Sequence, residues 1–352
     1  MEKKITICLF GIFDPGYERN RILYSGLSAN GIDVVLCQAD KGKLGKYISL
    51  ARQYFKIRKK VDLVLVAFPG YQAMILAKIL SKKPIIFDSF LSIYDAEVCD
   101  RKNLNAESFK ARYYWLLDWL SCALADKILL DAQAHIDYYV KTFGLEAKKF
   151  LRVFLGSDIK KDGGQTEGDN SDPEYLTVHF HSRAHPMQGA EHVVESAKIL
   201  KDEKIKFNLA GDKVCKLRPE GNYPNMNFFP TMPYDDLIGL LKKSQVCLGI
   251  FGDNDKANKV IPNKVYLGLA AGKAVISADT PAIRELFYDR ENILLCRAAD
   301  PSNLAEKILE LRNNRELRLK ISANGGRLAE EELAPKDVTR ELSQLIKIYA
   351  DK

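Results

Sequence analysis

Leu248-Gly-Ile-Phe-Gly-Asp-Asn-Asp-Lys-Ala-Asn-Lys-Val-Ile-Pro-Asn-Lys-Val-Tyr-Leu-Gly-Leu-Ala-Ala-Gly-Lys-Ala-Val-Ile276 is the stretch whose reading decides the fold. Its apolar start reads as a strand ending near Ile250. A polar loop follows, Gly252 to Lys259, and then a short helix from Pro262 to Ala271. Pro262 suits a first helical turn, where the missing N–H costs nothing. Gly272 suits the left-handed position just past a helix end. Ala274 to Ile276 opens the next strand. The helix N-terminus faces a loop with Lys256, Lys259 and Lys264, an arrangement that attracts anions. The plainer alternative is a solvated loop with surface lysines.

Outward from this unit, strand and helix alternate along the whole chain, which predicts α/β architecture with doubly wound parallel sheets. In the first half, Lys4–Phe10 is an apolar strand. It runs into Gly11-Ile-Phe-Asp-Pro-Gly-Tyr-Glu-Arg-Asn-Arg21 and a helix to Ala29. Gly11, Asp14, Gly16 and Arg19 sit in this first strand–helix loop, where such folds bind ligands; a tight surface turn is the alternative. Lys43–Lys60 reads as a helix with one apolar and one basic face. Pro84–Phe87 is a strand ending in Asp88, with Asp95 beyond; Asp88 is either a working group or a turn aspartate. The polar, glycine-rich segment 159–173 reads as a linker. The expected units are 1–158 and 174–334, with a closing helix at 335–352 that can pack back on the first unit.

Composition narrows the classes. With 352 residues and 47% apolar content, two cored domains are expected. Seven cysteines are scattered without a C-x-x-C pair, which suits reduced thiols in the cytoplasm. Met1-Glu-Lys-Lys4 leads straight into a strand and carries no signal-peptide pattern. No apolar run approaches the roughly 20 residues that span a bilayer. Residues 1–155 carry net charge +8 and the remainder −1. This asymmetry points to a polyanionic partner, and Lys43–Lys60 to an anionic lipid surface at the inner face of a membrane. No nucleic-acid motif accompanies it. His179, His181, His185 and His192 lack carboxylates or thiols at ligand spacing, so no metal is expected.

These segments carry a resemblance. His181-Ser-Arg-Ala-His-Pro-Met-Gln-Gly189, Phe207-Asn-Leu-Ala-Gly-Asp212, Thr231-Met-Pro-Tyr-Asp235 and the opening stretch, in this order, resemble the donor domain of retaining glycosyltransferases of family 4. The first half is similar to the acceptor domain of a bacterial branch. The resemblance implies a GT-B fold, two Rossmann-like domains facing a cleft. It implies transfer of a sugar from a nucleotide-diphosphate sugar to a glycan or lipid-linked hydroxyl, without metal or other cofactor. It matches Arg183 to the family's donor arginine; Lys256, Lys259 and Lys264 are read as compensating positive charge for the diphosphate, and Asp212, Met232 and Asn263 are further expected donor contacts. Gly11, Asp14, Gly16, Arg19 and Asp95 fall to the acceptor, and Asp88 and Lys264 to catalysis. Lys264 is expected to project into open space, so that removing it leaves stability unchanged. The sequence departs from the family's pattern: Gln188 replaces a lysine, and Lys259 and Leu267 replace its paired glutamates. A GT-B binding or scaffold subunit without catalysis is therefore the second reading, and an enzyme of other chemistry, such as an epimerase, the third.

Overall fold

The computed structural model describes residues 4–39, 45–159 and 174–350. The expected linker thus lies, apart from Ile159, outside the described residues, as does Lys43. In chain order come β1 (Thr6–Gly11), α1 (Glu18–Ala29), β2 (Asp33–Gln38), α2 (Lys46–Ile57), β3 (Leu63–Val66), α3 (Tyr71–Leu80) and β4 (Ile85–Asp88). Next are α4 (Phe109–Leu124), β5 (Lys127–Leu130), α5 (Gln133–Phe143), β6 (Phe150–Arg152), β7 (Leu176–His181), α6 (Ala190–Ile199) and β8 (Ile205–Ala210). Then follow α7 (Asp212–Cys215), β9 (Met226–Phe229), α8 (Tyr234–Lys242), β10 (Val246–Leu248), α9 (Asn263–Ala270), β11 (Ala274–Ala278) and α10 (Pro281–Arg284). The chain closes with β12 (Leu294–Cys296), α11 (Pro301–Asn313), α12 (Arg315–Glu331), α13 (Pro335–Val338) and α14 (Arg340–Ala350).

Two compact units form, Met1–Gly156 with Leu333–Lys352, and Ser157–Glu332. Each contains one six-stranded parallel sheet, ordered β2-β1-β3-β4-β5-β6 and β12-β11-β10-β7-β8-β9. The doubly wound α/β class expected from the strand–helix alternation is what the chain adopts. In the first sheet, Cys8, Phe10, Val64 and Val66 face a core shared with α2, α3, α4 and α5. Their neighbours Ile7, Leu9, Leu63 and Leu65 face the other way, onto α1 and α14. Strands buried on both faces need this continuous apolar run.

The last helices complete the first unit. Leu342 and Ile346 of α14 share a core with Leu23 and Leu27 of α1. The Asn30 side-chain amide donates to the Lys336 carbonyl at 2.7 Å. Gly26 makes the approach possible: a Cβ there would lie 2.1 Å from the Pro335 carbonyl oxygen.

One ion pair knits the carboxyl edge of the first sheet. Arg19, 0% exposed, donates from Nη2 to Asp88 Oδ1 at 2.9 Å and from Nε to both carboxylate oxygens at 3.1 Å. Its Nη1 donates to the Val153 carbonyl at 2.7 Å. α1, the end of β4 and the segment after β6 are thereby joined. Two sequence expectations change here. Asp88 is 0% exposed with its carboxylate held by Arg19, so neither residue is presented to a substrate. Asp95 is also 0% exposed, in a π-helical turn at Asp95–Asp100, its N–H donated to Ser92 Oγ at 2.9 Å. Asp88 at the end of β4 and Asp95 in the turn beyond are thus both held inside the first unit.

Removing one partner of a buried ion pair strands the other charge, at a cost of about 3–5 kcal/mol. Asp88→Ala is therefore expected to destabilise the first unit by about that margin, read as a lower urea midpoint at unchanged m. An unchanged midpoint would show that the pair does not hold this edge. Asp118 offers a second test. Buried in α4, it accepts from Ser92 Oγ at 2.7 Å and Tyr94 N–H at 2.9 Å, and burial still pushes its carboxyl up to about 6. The native state then binds this proton more tightly than the unfolded chain. The stability it contributes is full below about pH 4 and lost as pH rises through 6. Asp118→Asn should flatten that part of the stability–pH profile.

Candidate functional site

The order of the second sheet reverses between β7 and β10, whose chain directions lead to helices on opposite faces. α6 packs with α11 on one side and α9 with α12 on the other. The crevice outside such a switch point is where doubly wound sheets bind ligands. The loops after β7 and β10 are clasped there: Phe251 N–H donates to the Gln188 carbonyl at 3.3 Å, and Gly252 N–H to that of Met187 at 3.2 Å. Gly189, at φ 60°, permits the clasp, since a Cβ would sit 2.6 Å from the Phe251 carbonyl carbon.

α9 begins one residue later than expected, with Pro262 in the N-cap position and no side chain capping it. Gly272 takes φ 67°, the left-handed exit. Every residue from Lys264 to Ala270 is buried. Lys264 is only 5% exposed, so its expected projection into open space is corrected. A helix wedged against β10, β11 and α12 leaves no solvent-facing side at that position. Lys264 Nζ lies 4.3 Å from the centre of the Phe180 ring on β7. It has no hydrogen-bond partner among the described residues. Desolvation pushes its ammonium down to about 7.

His179 and His181 lie beside this lysine. Their rings meet at 3.0 Å, Nε2 to Nδ1. Burial, with Lys264 nearby, drives His179 down to about 3 and His181 well below its ordinary value. Both are neutral across physiological pH and offer no counter-charge. Among the described residues no group of three or more His, Cys, Asp or Glu could hold a metal ion.

The other expected donor residues come to the same carboxyl edge with differing access. Arg183 is exposed in the loop after β7; Met232 and Asn263 are half-buried. Lys256, just before a 3-10 turn, and Lys259, its last residue, are buried at 4% and 8% exposure. Asp212 is committed to the neighbouring loop: it accepts from Thr231 N–H at 2.9 Å, and Thr231 holds its carboxyl below the usual range. The Gln188 side chain accepts from the Ser182 hydroxyl. Leu267 is 2% exposed, an apolar plug inside α9.

In the first unit, Gly11 takes φ 149° and Asp14 Oδ1 accepts from Gly16 N–H at 2.9 Å, so these three shape the turn after β1. Sequence reading overlooked His135. Its Nδ1 lies 2.8 Å from Asp131 Oδ1 at the end of β5, and its Nε2 is buried without a partner among the described residues. An Asp and a His four residues apart across a strand–helix junction was the available signal.

Residues 165–327 match the sequence profile of the glycosyl transferases group 1 family. An uncharacterized glycosyltransferase of Methanocaldococcus jannaschii is 24% identical over 258 residues, 70% of this chain. A protein of Escherichia coli that carries the name colanic acid biosynthesis glycosyl transferase WcaI is 36% identical over 98 residues, 26% of this chain. The chain spans 64% and 24% of the length of these two relatives. HepE of Anabaena, solved in complex with UDP, superposes with a TM-score of 0.68 at 15% identity, covering 98% of this chain and all of that one. It has also been solved with UDP-glucose. The two Rossmann-like units thus have the GT-B fold, and over residues 165–327 the sequence is similar to the glycosyl transferases group 1 family.

Proposed function

We propose that this chain is a metal-independent retaining glycosyltransferase that takes a UDP-sugar and transfers the sugar to a glycan or lipid-linked hydroxyl. Lys264 carries the reading. A buried ammonium without a partner costs stability, and such a group at a helix N-terminus is suited to a ligand that brings the missing negative charge. A sugar diphosphate is such a ligand. The complexes of HepE with UDP and UDP-glucose support uridine as the base.

In this reading Lys264 and the free N–H groups of α9 hold the diphosphate from below, and exposed Arg183 closes on it from the loop after β7. Lys256 and Lys259 add positive charge behind them. As the bond from the anomeric carbon to the diphosphate breaks, charge grows on the leaving phosphate. Fixed cations in a dry site stabilise that charge more than the ground state, which is what raises turnover. The leaving phosphate accepts the proton of the incoming hydroxyl, and the sugar is delivered to the same face. Asp88, committed to Arg19, has no part in this step. Asn263 or backbone groups take the ribose contact that Leu267 cannot make. We place the work in the cytoplasm, at the inner face of the membrane when the acceptor is lipid-linked. The departures at Lys259 and Leu267 favour a second reading, a binding subunit that holds the nucleotide sugar without transfer. Release of UDP from a panel of UDP-sugars separates the two: binding without release supports the subunit.

Lys264→Met tests the site in two opposite directions. Turnover should fall by about 10²–10³, the scale for loss of one preorganised donor. Stability should rise at pH 7. The native state holds the Lys264 proton less tightly than the unfolded chain, so the wild type carries its full penalty below about 7 and regains stability toward pH 10. The melting-temperature gain of the variant should shrink over that interval. Equal turnover and equal melting would refute the assignment. Affinity for UDP-glucose, whose diphosphate does not titrate here, should be flat below pH 7 and fall by up to about tenfold per unit above it.

A further inference from the structure

We propose that the outer surface of α2, α3 and α4 is a docking face for an anionic lipid bilayer. The three helices lie side by side on one face of the first sheet, with α3 packed against both neighbours. Their outward side chains are unusual. Of the twelve large apolar residues exposed among the described residues, seven belong to these helices. On α2 they are Tyr47, Ile48 and Phe55, the last two 60% and 49% exposed. On α3 it is Ile79, 76% exposed. On α4, Phe109 is 91% exposed, and Tyr113 and Leu116 continue the same ridge at spacings of four and three.

The charge is one-sided. The helices carry six Lys or Arg and a single acid, Asp118, which is 0% exposed. Arg58, Lys59 and Lys60 after α2, and Lys82 and Lys83 after α3, extend the basic field. Cations and rings are interleaved: the Arg58 guanidinium lies 4.9 Å from the Phe55 ring and Lys46 Nζ 5.3 Å from the Tyr47 ring.

A phosphate backbone would use the cations and leave Ile48, Ile79 and Leu116 without a role. A bilayer uses both: aliphatic and aromatic side chains enter the headgroup–acyl boundary while Lys and Arg meet anionic headgroups. Each basic residue near such a surface raises affinity by about fivefold, and the gain is screened by salt. This extends the proposed function by naming where a lipid-linked acceptor is met. Its test needs no substrate, so its failure leaves the transferase reading standing.

The experiment is flotation of the full chain with phosphatidylcholine vesicles, with and without phosphatidylglycerol, at low and high salt. The wild type should float only with the anionic vesicles and be released by salt. Ile79→Ser with Phe109→Ser keeps the charge and should weaken binding at least tenfold. Lys56→Glu with Lys78→Glu keeps the apolar ridge and should abolish it. Unchanged melting temperatures establish that all variants are folded. No flotation at low salt would overturn the proposal, as would full binding by the serine variant. Equal capture by heparin with no effect of the serine changes would assign the face to a soluble polyanion instead.

Discussion

A cation taken out of water must find a counter-charge or loosen its hold on its proton, and Arg19 and Lys264 show the two outcomes. Arg19 is sealed beneath the edge of the first sheet, where Asp88 and two backbone carbonyls satisfy it. Lys264 is sealed beneath the edge of the second with an aromatic ring and two neutral imidazoles for company. The sites are alike in topology, each at the carboxyl ends of parallel strands. They differ in what the neighbours supply. A satisfied cation locks secondary structure together; an unsatisfied one stores free energy that a ligand can release.

The parallel sheets explain why both sites lie at an edge. With helices on both faces, the strand interiors are mostly apolar. Polar groups accumulate where strands end and loops begin. The second sheet adds a reversal of winding between β7 and β10, so two loops part there. Close glycine contacts then draw those loops together.

Much of this was legible in the sequence. Strand and helix alternation, with turns at Gly189 and Gly272, was enough for the α/β class, because each signal is local. The position of Lys264 at the start of α9 was legible for the same reason. Its burial was not, although a lysine between Val260-Ile-Pro-Asn263 and Val265-Tyr-Leu267 was a hint. Whether a short helix is wedged or exposed depends on α12, more than forty residues later. The Arg19–Asp88 pair joins residues 69 apart, so two groups that each looked free in isolation consume one another. The return of α14 onto α1 is equally non-local: Gly26 looked like an ordinary helix glycine until Pro335 was found against it.

Lys264 is a desolvated ammonium that has no hydrogen-bond partner among the described residues, and an anionic ligand would satisfy it. The most direct measurement is an NMR titration of the Lys264 ζ-nitrogen, assigned by comparison with Lys264→Met, in the free protein and with UDP-glucose bound. A midpoint near 7 is expected in the free protein, with a rise of several units when the diphosphate binds. A midpoint near the ordinary lysine value of about 10.4 in the free state, or one unmoved by the nucleotide sugar, would contradict it.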